Sequence, residues 1–160
     1  MKQFESITKI IDALRSRRLK LVLAESCTGG YIAHLLTSIP GASDYFSGSI
    51  VAYSKETKTG ILGVDSKIIE EHGTISPQCA LAMASGAARA AATDAALSTT
   101  GNLGPDPIEG KETGLVYVAV YLRGSARVRE LHLTGNRNEI KEMAAEEALK
   151  MLLEAIEKQD

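Results

Sequence analysis

A chain of 160 residues, 44% of them hydrophobic, has enough apolar material for one folded domain and too little length for two of ordinary size. Its 18 basic and 20 acidic residues leave a formal net charge of -2 with both signs interspersed, which removes the electrostatic case for a nucleic-acid partner. No apolar run reaches bilayer length, the first residues lack a signal-peptide pattern, and two cysteines make no disulfide framework, so the expectation is a single cytoplasmic domain over 1–160 with no membrane partner.

Phe4, Ile7, Ile10, Ile11 and Leu14 recur at helical spacing and predict an opening amphipathic helix. The basic run Arg15, Arg17, Arg18 and Lys20 at its end complements the helix dipole. Residues 19–24 form a short apolar run with charged flanks, a buried strand. Thr28-Gly29-Gly30 breaks it, and 31–37 puts Ile32, Leu35 and Leu36 on one face of a short helix. Residues 39–43 read as a loop and 45–53 as a second strand. Residues 54–62 read as a helix with Ser54 as N-cap and Lys58 inside, and 65–71 as another, ended by His72-Gly73. Ser76-Pro77 opens an alanine-rich helix to about Ala92: the serine accepts from first-turn amides, and proline sits where no N–H is needed. A third strand is expected over 94–99, a long surface loop over 101–112, and a buried strand over 114–121. Arg123-Gly124-Ser125 turns into a partner strand at 128–133, and 138–156 closes the chain as a helix. Alternating helices and strands followed by a hairpin predict a three-layer α/β domain with a mixed sheet.

Three clusters could carry chemistry. The first is Ala24-Glu25-Ser26-Cys27-Thr28-Gly29-Gly30, where a strand passes into a helix. Ligands collect at the carboxyl ends of strands, and a helix start offers free amides to an anion. Ser26 and Thr28 supply hydroxyls, Gly29 and Gly30 allow close approach, and the same dipole could acidify the Cys27 thiol. Helix capping by Ser26 and Thr28 explains the same residues without a ligand. The second cluster is Tyr53 and Lys58: a desolvated lysine can take a serine's proton, and a tyrosine can relay or orient it. A surface lysine explains that position equally well. The third is 98–105, including Thr100, Gly101 and Asn102, which follows a strand and so should share a sheet edge with Ser26; its residues also suit a turn. His34, His72 and His132 lack metal-ligand spacing, so neither a metal nor another cofactor is expected.

These motifs resemble those of the CinA C-terminal domain family. The resemblance rests on residues 24–30, on Ile39-Pro40-Gly41-Ala42-Ser43, on 51–58, and on Leu62-Gly63-Val64. It continues through 72–77, 100–105, 114–117 and Gly135-Asn136-Arg137, all in the family's order. It implies an α/β/α sandwich, usually a homo-oligomer, here in its free-standing form. It also implies hydrolysis of nicotinamide mononucleotide to nicotinic acid mononucleotide and ammonia. Ser26, Tyr53 and Lys58 match the family's catalytic positions. Ser43 matches a serine lining its site, and Cys27, Thr28, Gly29, Gly30, Thr100, Gly101, Asn102 and Arg137 are the expected substrate contacts. The chain departs from the amidase members at Asn102-Leu103 and over 106–114, where they carry Ile-Ala and a longer glycine-rich stretch. Two further hypotheses stay open: a nucleotide-binding module without catalysis, and Cys27 as nucleophile. Within the leading one, Ser26 could attack the amide itself or act with Lys58 on a water.

Overall fold

The computed structural model describes residues 2–159, with side chains from Ser6 onward; Phe4, expected on the buried face of the first helix, lies outside the described side chains. The first segments are α1 (Lys2–Ser16), β1 (Leu21–Glu25), α2 (Tyr31–Thr37) and β2 (Phe46–Val51). Three helices follow, α3 (Lys55–Gly60), α4 (Ser66–His72) and α5 (Pro77–Ala91). Then come β3 (Ala95–Gly101), β4 (Leu115–Leu122), β5 (Ser125–His132) and α6 (Arg137–Glu157).

The sheet runs in the order β2-β1-β3-β4-β5, with β1, β2 and β3 parallel to one another and β4 antiparallel to both β3 and β5, the mixed sheet expected. Side-chain alternation along each strand divides the core in two. Leu21 and Leu23 join Leu97, Val116, Val118 and Val120 beneath α1, α2 and α6. Val22 and Ala24 face the other way, with Ala96, Leu115, Tyr117 and Ala119 against α5. Small residues let α5 come close: a Cβ on Gly86 would collide with the Leu62 carbonyl. These are the three layers of an α/β/α sandwich. Among the described residues, no helix is long and apolar enough to cross a membrane.

Several boundaries moved for local reasons. β2 is shorter than 45–53 because Tyr53 leaves the sheet to enter the turn that Ser54 caps, while Ala52 N still donates to Glu25 O. β3 runs on to Gly101, paired with Val116, so the following loop starts one residue later. β5 begins at Ser125 because Arg123 and Gly124, at φ 48° and 89°, make a two-residue hairpin turn of the twist that favours tight hairpins. α6 starts at Arg137 because Asn136 and Glu139 close a reciprocal capping box around its first turn.

The connections define where a ligand belongs. The chain leaves β1 through α2 on one face to reach β2, then returns through α5 on the opposite face to reach β3 on the other side of β1. The two crossovers diverge at the carboxyl end of β1, which opens a crevice there.

Candidate active site

Ser26 is the first residue beyond β1. Its N–H donates to Thr99 O at 3.0 Å, tying it to the end of β3. Its side chain meets Lys58, which α3 sends down into the crevice; Lys58 is 1% exposed, although Ser54 caps a helix of only six residues here. The Lys58 Nζ donates to Ser26 Oγ at 3.0 Å, to Ala52 O at 2.8 Å and to Tyr53 O at 3.2 Å. All three partners are neutral oxygens. Burial therefore pulls the Lys58 pKa below the usual lysine range. When the amine is neutral, its two hydrogens can stay on the two carbonyls and its lone pair then faces the Ser26 hydroxyl. That is the arrangement a general base requires.

The expected anion cradle at Thr28, Gly29 and Gly30 is a correction: it is filled from within. Glu25 is fully buried, and its carboxylate accepts from Gly30 N at 3.1 Å, Ile32 N at 3.1 Å and Ala33 N at 3.0 Å. It also accepts from Thr28 Oγ1 at 2.7 Å and Ser49 Oγ at 3.1 Å. Thr28 Oγ1 further pairs with Thr99 Oγ1 at 2.7 Å, and Gly29 N donates back to Ser26 O. The amides that would attract a phosphate already hold a carboxylate. The same arrangement corrects the idea of a dipole-acidified thiol. Cys27 lines the crevice, but burial pushes its thiol up to about 12.

The opposite wall comes from the end of β3 and the loop after it. Thr100 and Gly101 line the cavity, and Thr100 Oγ1 donates to Thr74 O at 2.7 Å. Asn102 is buried and braces the loop: its Nδ2 donates to Asp106 O and Lys111 O, and its Oδ1 accepts from Gly104 N. It does not line the cavity, because its amide is consumed by the loop backbone. Arg137 spans the mouth, donating to Gly104 O at 2.6 Å and to the Tyr53 hydroxyl at 3.1 Å. Tyr53 is 62% exposed, with that hydroxyl at the mouth on Arg137. Its carbonyl, rather than its hydroxyl, touches Lys58.

Ser43 is not brought to this site. It precedes β2, whose amino end pairs with Leu21 at the far end of β1, and its carbonyl accepts from Lys20 Nζ at 2.8 Å. The parallel direction of β2 puts it on the opposite edge of the sheet. Conversely, Thr74 and Ile75 line the cavity without having been expected there, while Leu103 lines it from the 98–105 cluster and Ile108 from the divergent loop over 106–114. Turn residues flank each of them, but nothing in their spacing marks the approach of segments so distant in the chain. The cavity measures about 140 Å³. That is below the roughly 300 Å³ at which drug-sized pockets begin, so it suits one small ring with the rest of a ligand at the mouth. Among the described residues, no three His, Cys, Asp or Glu side chains gather where they could hold a metal ion.

Comparison with known proteins agrees with this architecture. The family model for the CinA C-terminal domain matches residues 4–156. A CinA-like protein of Dictyoglomus thermophilum is 45% identical over 133 residues, covering 82% of this chain and 32% of its own. One from Syntrophomonas wolfei is 43% identical over 147 residues, covering 91% and 35%. The chain thus spans about a third of the length of these curated relatives. Among solved structures, a CinA superfamily protein of Klebsiella pneumoniae superposes with a TM-score of 0.95 at 28% identity over 99% of both chains. The competence/damage inducible protein CihA of Agrobacterium tumefaciens gives 0.92 at 34% identity, over 98% of this chain and 96% of its own. With the family model matched from end to end of the sandwich, the chain belongs to the CinA C-terminal domain family.

Proposed function

We propose that this protein hydrolyses the carboxamide of nicotinamide mononucleotide, giving nicotinic acid mononucleotide and ammonia. The observation that carries this reading is the 3.0 Å contact between Ser26 Oγ and the buried, charge-unpaired Lys58 Nζ. Family resemblance supports the substrate class. The small cavity suits a pyridine ring, and the guanidinium of Arg137, bonded only to neutral oxygens, suits a phosphate at the mouth.

In this mechanism Ser26 Oγ attacks the amide carbon while its proton passes to Lys58 Nζ, and the carbonyl electron pair moves onto oxygen. The N–H group of Cys27, which lines the cavity, follows Ser26 in the turn and donates to no backbone oxygen among the described residues, which leaves it for that oxyanion. As the intermediate collapses, the C–N bond breaks, Lys58 returns the proton to the leaving nitrogen, and ammonia departs. Water then attacks the Ser26 ester. Its proton passes through Lys58 to Ser26 Oγ as the C–O bond breaks, and the acid is released. Tyr53 acts here by its carbonyl on Lys58 and by its ring and hydroxyl at the mouth. The raised thiol pKa of Cys27 argues against a cysteine nucleophile.

The test is ammonia release from nicotinamide mononucleotide against a Ser26→Ala control. Release that exceeds the control by about a thousandfold supports the reading. Nucleotide binding without release above the control would leave only a binding module.

A further inference from the structure

The loop over 102–113 is more ordered than its composition suggests. Ile108 and Lys111 form a bridge, with Lys111 N donating to Ile108 O at 2.8 Å and Ile108 N to Lys111 O at 3.3 Å. The two residues between them, Glu109 and Gly110, lie at φ 53° and 69°. This is a miniature hairpin whose first turn residue is a glutamate in a conformation that L-residues adopt at a cost. The Glu109 carboxylate holds it there. It accepts from Thr74 N at 2.9 Å, from Thr74 Oγ1 at 2.5 Å and from Ile75 N at 3.3 Å. Thr74 is in turn bonded by Thr100, so the latch lands on a segment secured to the end of β3.

The latch determines where its neighbour sits. Ile108 lines the cavity yet is 46% exposed, and Tyr53, which also lines it, is 62% exposed. Among the described residues only four large hydrophobic side chains are exposed in this way. A single one on a surface is unremarkable, but two from different segments meeting at one polar-floored cavity form an apolar rim. An aromatic face and a branched aliphatic side chain together fit a flat ring better than a charged or aliphatic amide.

We propose that Ile108, positioned by the Glu109 latch, selects a flat heteroaromatic ring by gripping it together with Tyr53 while the carboxamide points toward Ser26. The identity of that ring as a pyridine carboxamide rests on the amidase reading; the grip does not.

Calorimetric binding of nicotinamide mononucleotide and of ribose 5-phosphate, which lacks the ring, separates the two. Ile108→Ser is expected to weaken binding of the ring-bearing ligand about tenfold and leave ribose 5-phosphate unaffected. Ile108→Leu should stay within about twofold of wild type, as an apolar side chain of the same size. Glu109→Ala should follow Ile108→Ser, and in turnover its KM should rise more than its kcat falls. Equal weakening of both ligands, or none in Ile108→Ser, overturns the proposal. Wild-type protein that binds in this ring-dependent way but releases no ammonia overturns the amidase reading alone. Wild-type protein that binds neither ligand overturns both.

Discussion

The floor and the rim of this crevice are built differently. On the floor, Glu25, Ser26, Thr28 and Lys58 are buried, and each has its polar atoms satisfied by named partners. At the rim, Tyr53 and Ile108 stand exposed and Arg137 bridges two neutral oxygens. A buried polar network tolerates little change, since any lost partner leaves a desolvated group unpaired. An exposed rim can vary without endangering the fold. Under the proposed function, bond-making belongs to the floor and ligand choice to the rim.

The sharpest way to break this division is at the floor. Ser26→Ala and Lys58→Met should each lower turnover by about a thousandfold or more, with nucleotide binding largely kept, as measured by ammonia release and calorimetry. Loss of binding in step with turnover would make these residues part of the rim's task instead. Glu25→Ala should act on stability. It leaves three amides and the Ser49 hydroxyl without their acceptor, while Thr28 keeps its bond to Thr99, a cost of roughly 3–5 kcal/mol. Thermal melting should fall by about 10 °C for a chain of this size. A melt shifted by only a degree would show that the helix start does not need its internal carboxylate.

Changes at the rim should be smaller and selective. Arg137→Met is expected to raise KM for the mononucleotide by about tenfold to a hundredfold while leaving the unphosphorylated riboside unaffected. A like change for both would place the arginine on the loop rather than on phosphate. The mildest effect should come from His132→Ala. His132 pairs with Glu112 at the loop's end and with Glu130, contacts that raise its pKa but lie in solvent. KM should move by less than about twofold.

Much of the fold was legible from local pattern. The apolar runs of β1 and β4, and the helix starts at Ser54 and Ser76, depend on neighbours a few residues away. The site was legible only in part. Ser26 announces itself by standing between an apolar run and paired glycines. Its approach to Lys58 came from resemblance, because the two stand 32 positions apart with a whole strand between them. The role of Glu25 was illegible, since its partners arrive from α2 and from Ser49 on the neighbouring strand. Ser43 looked like a site residue until the direction of β2 carried it to the opposite edge. The Glu109 latch was illegible for the same reason: its partner at Thr74 is 35 residues away across the mouth.

The central claim is that a neutral Lys58 takes the Ser26 proton, and the pH dependence of kcat for ammonia release tests it most directly. A buried lysine with a depressed pKa is protonated and useless as a base at low pH, and becomes competent as pH rises through its lowered value. The rate should climb as pH rises, with an inflection below the usual lysine range, and should disappear in Ser26→Ala. A rate that is flat, that falls as pH rises, or that survives in Ser26→Ala would contradict it.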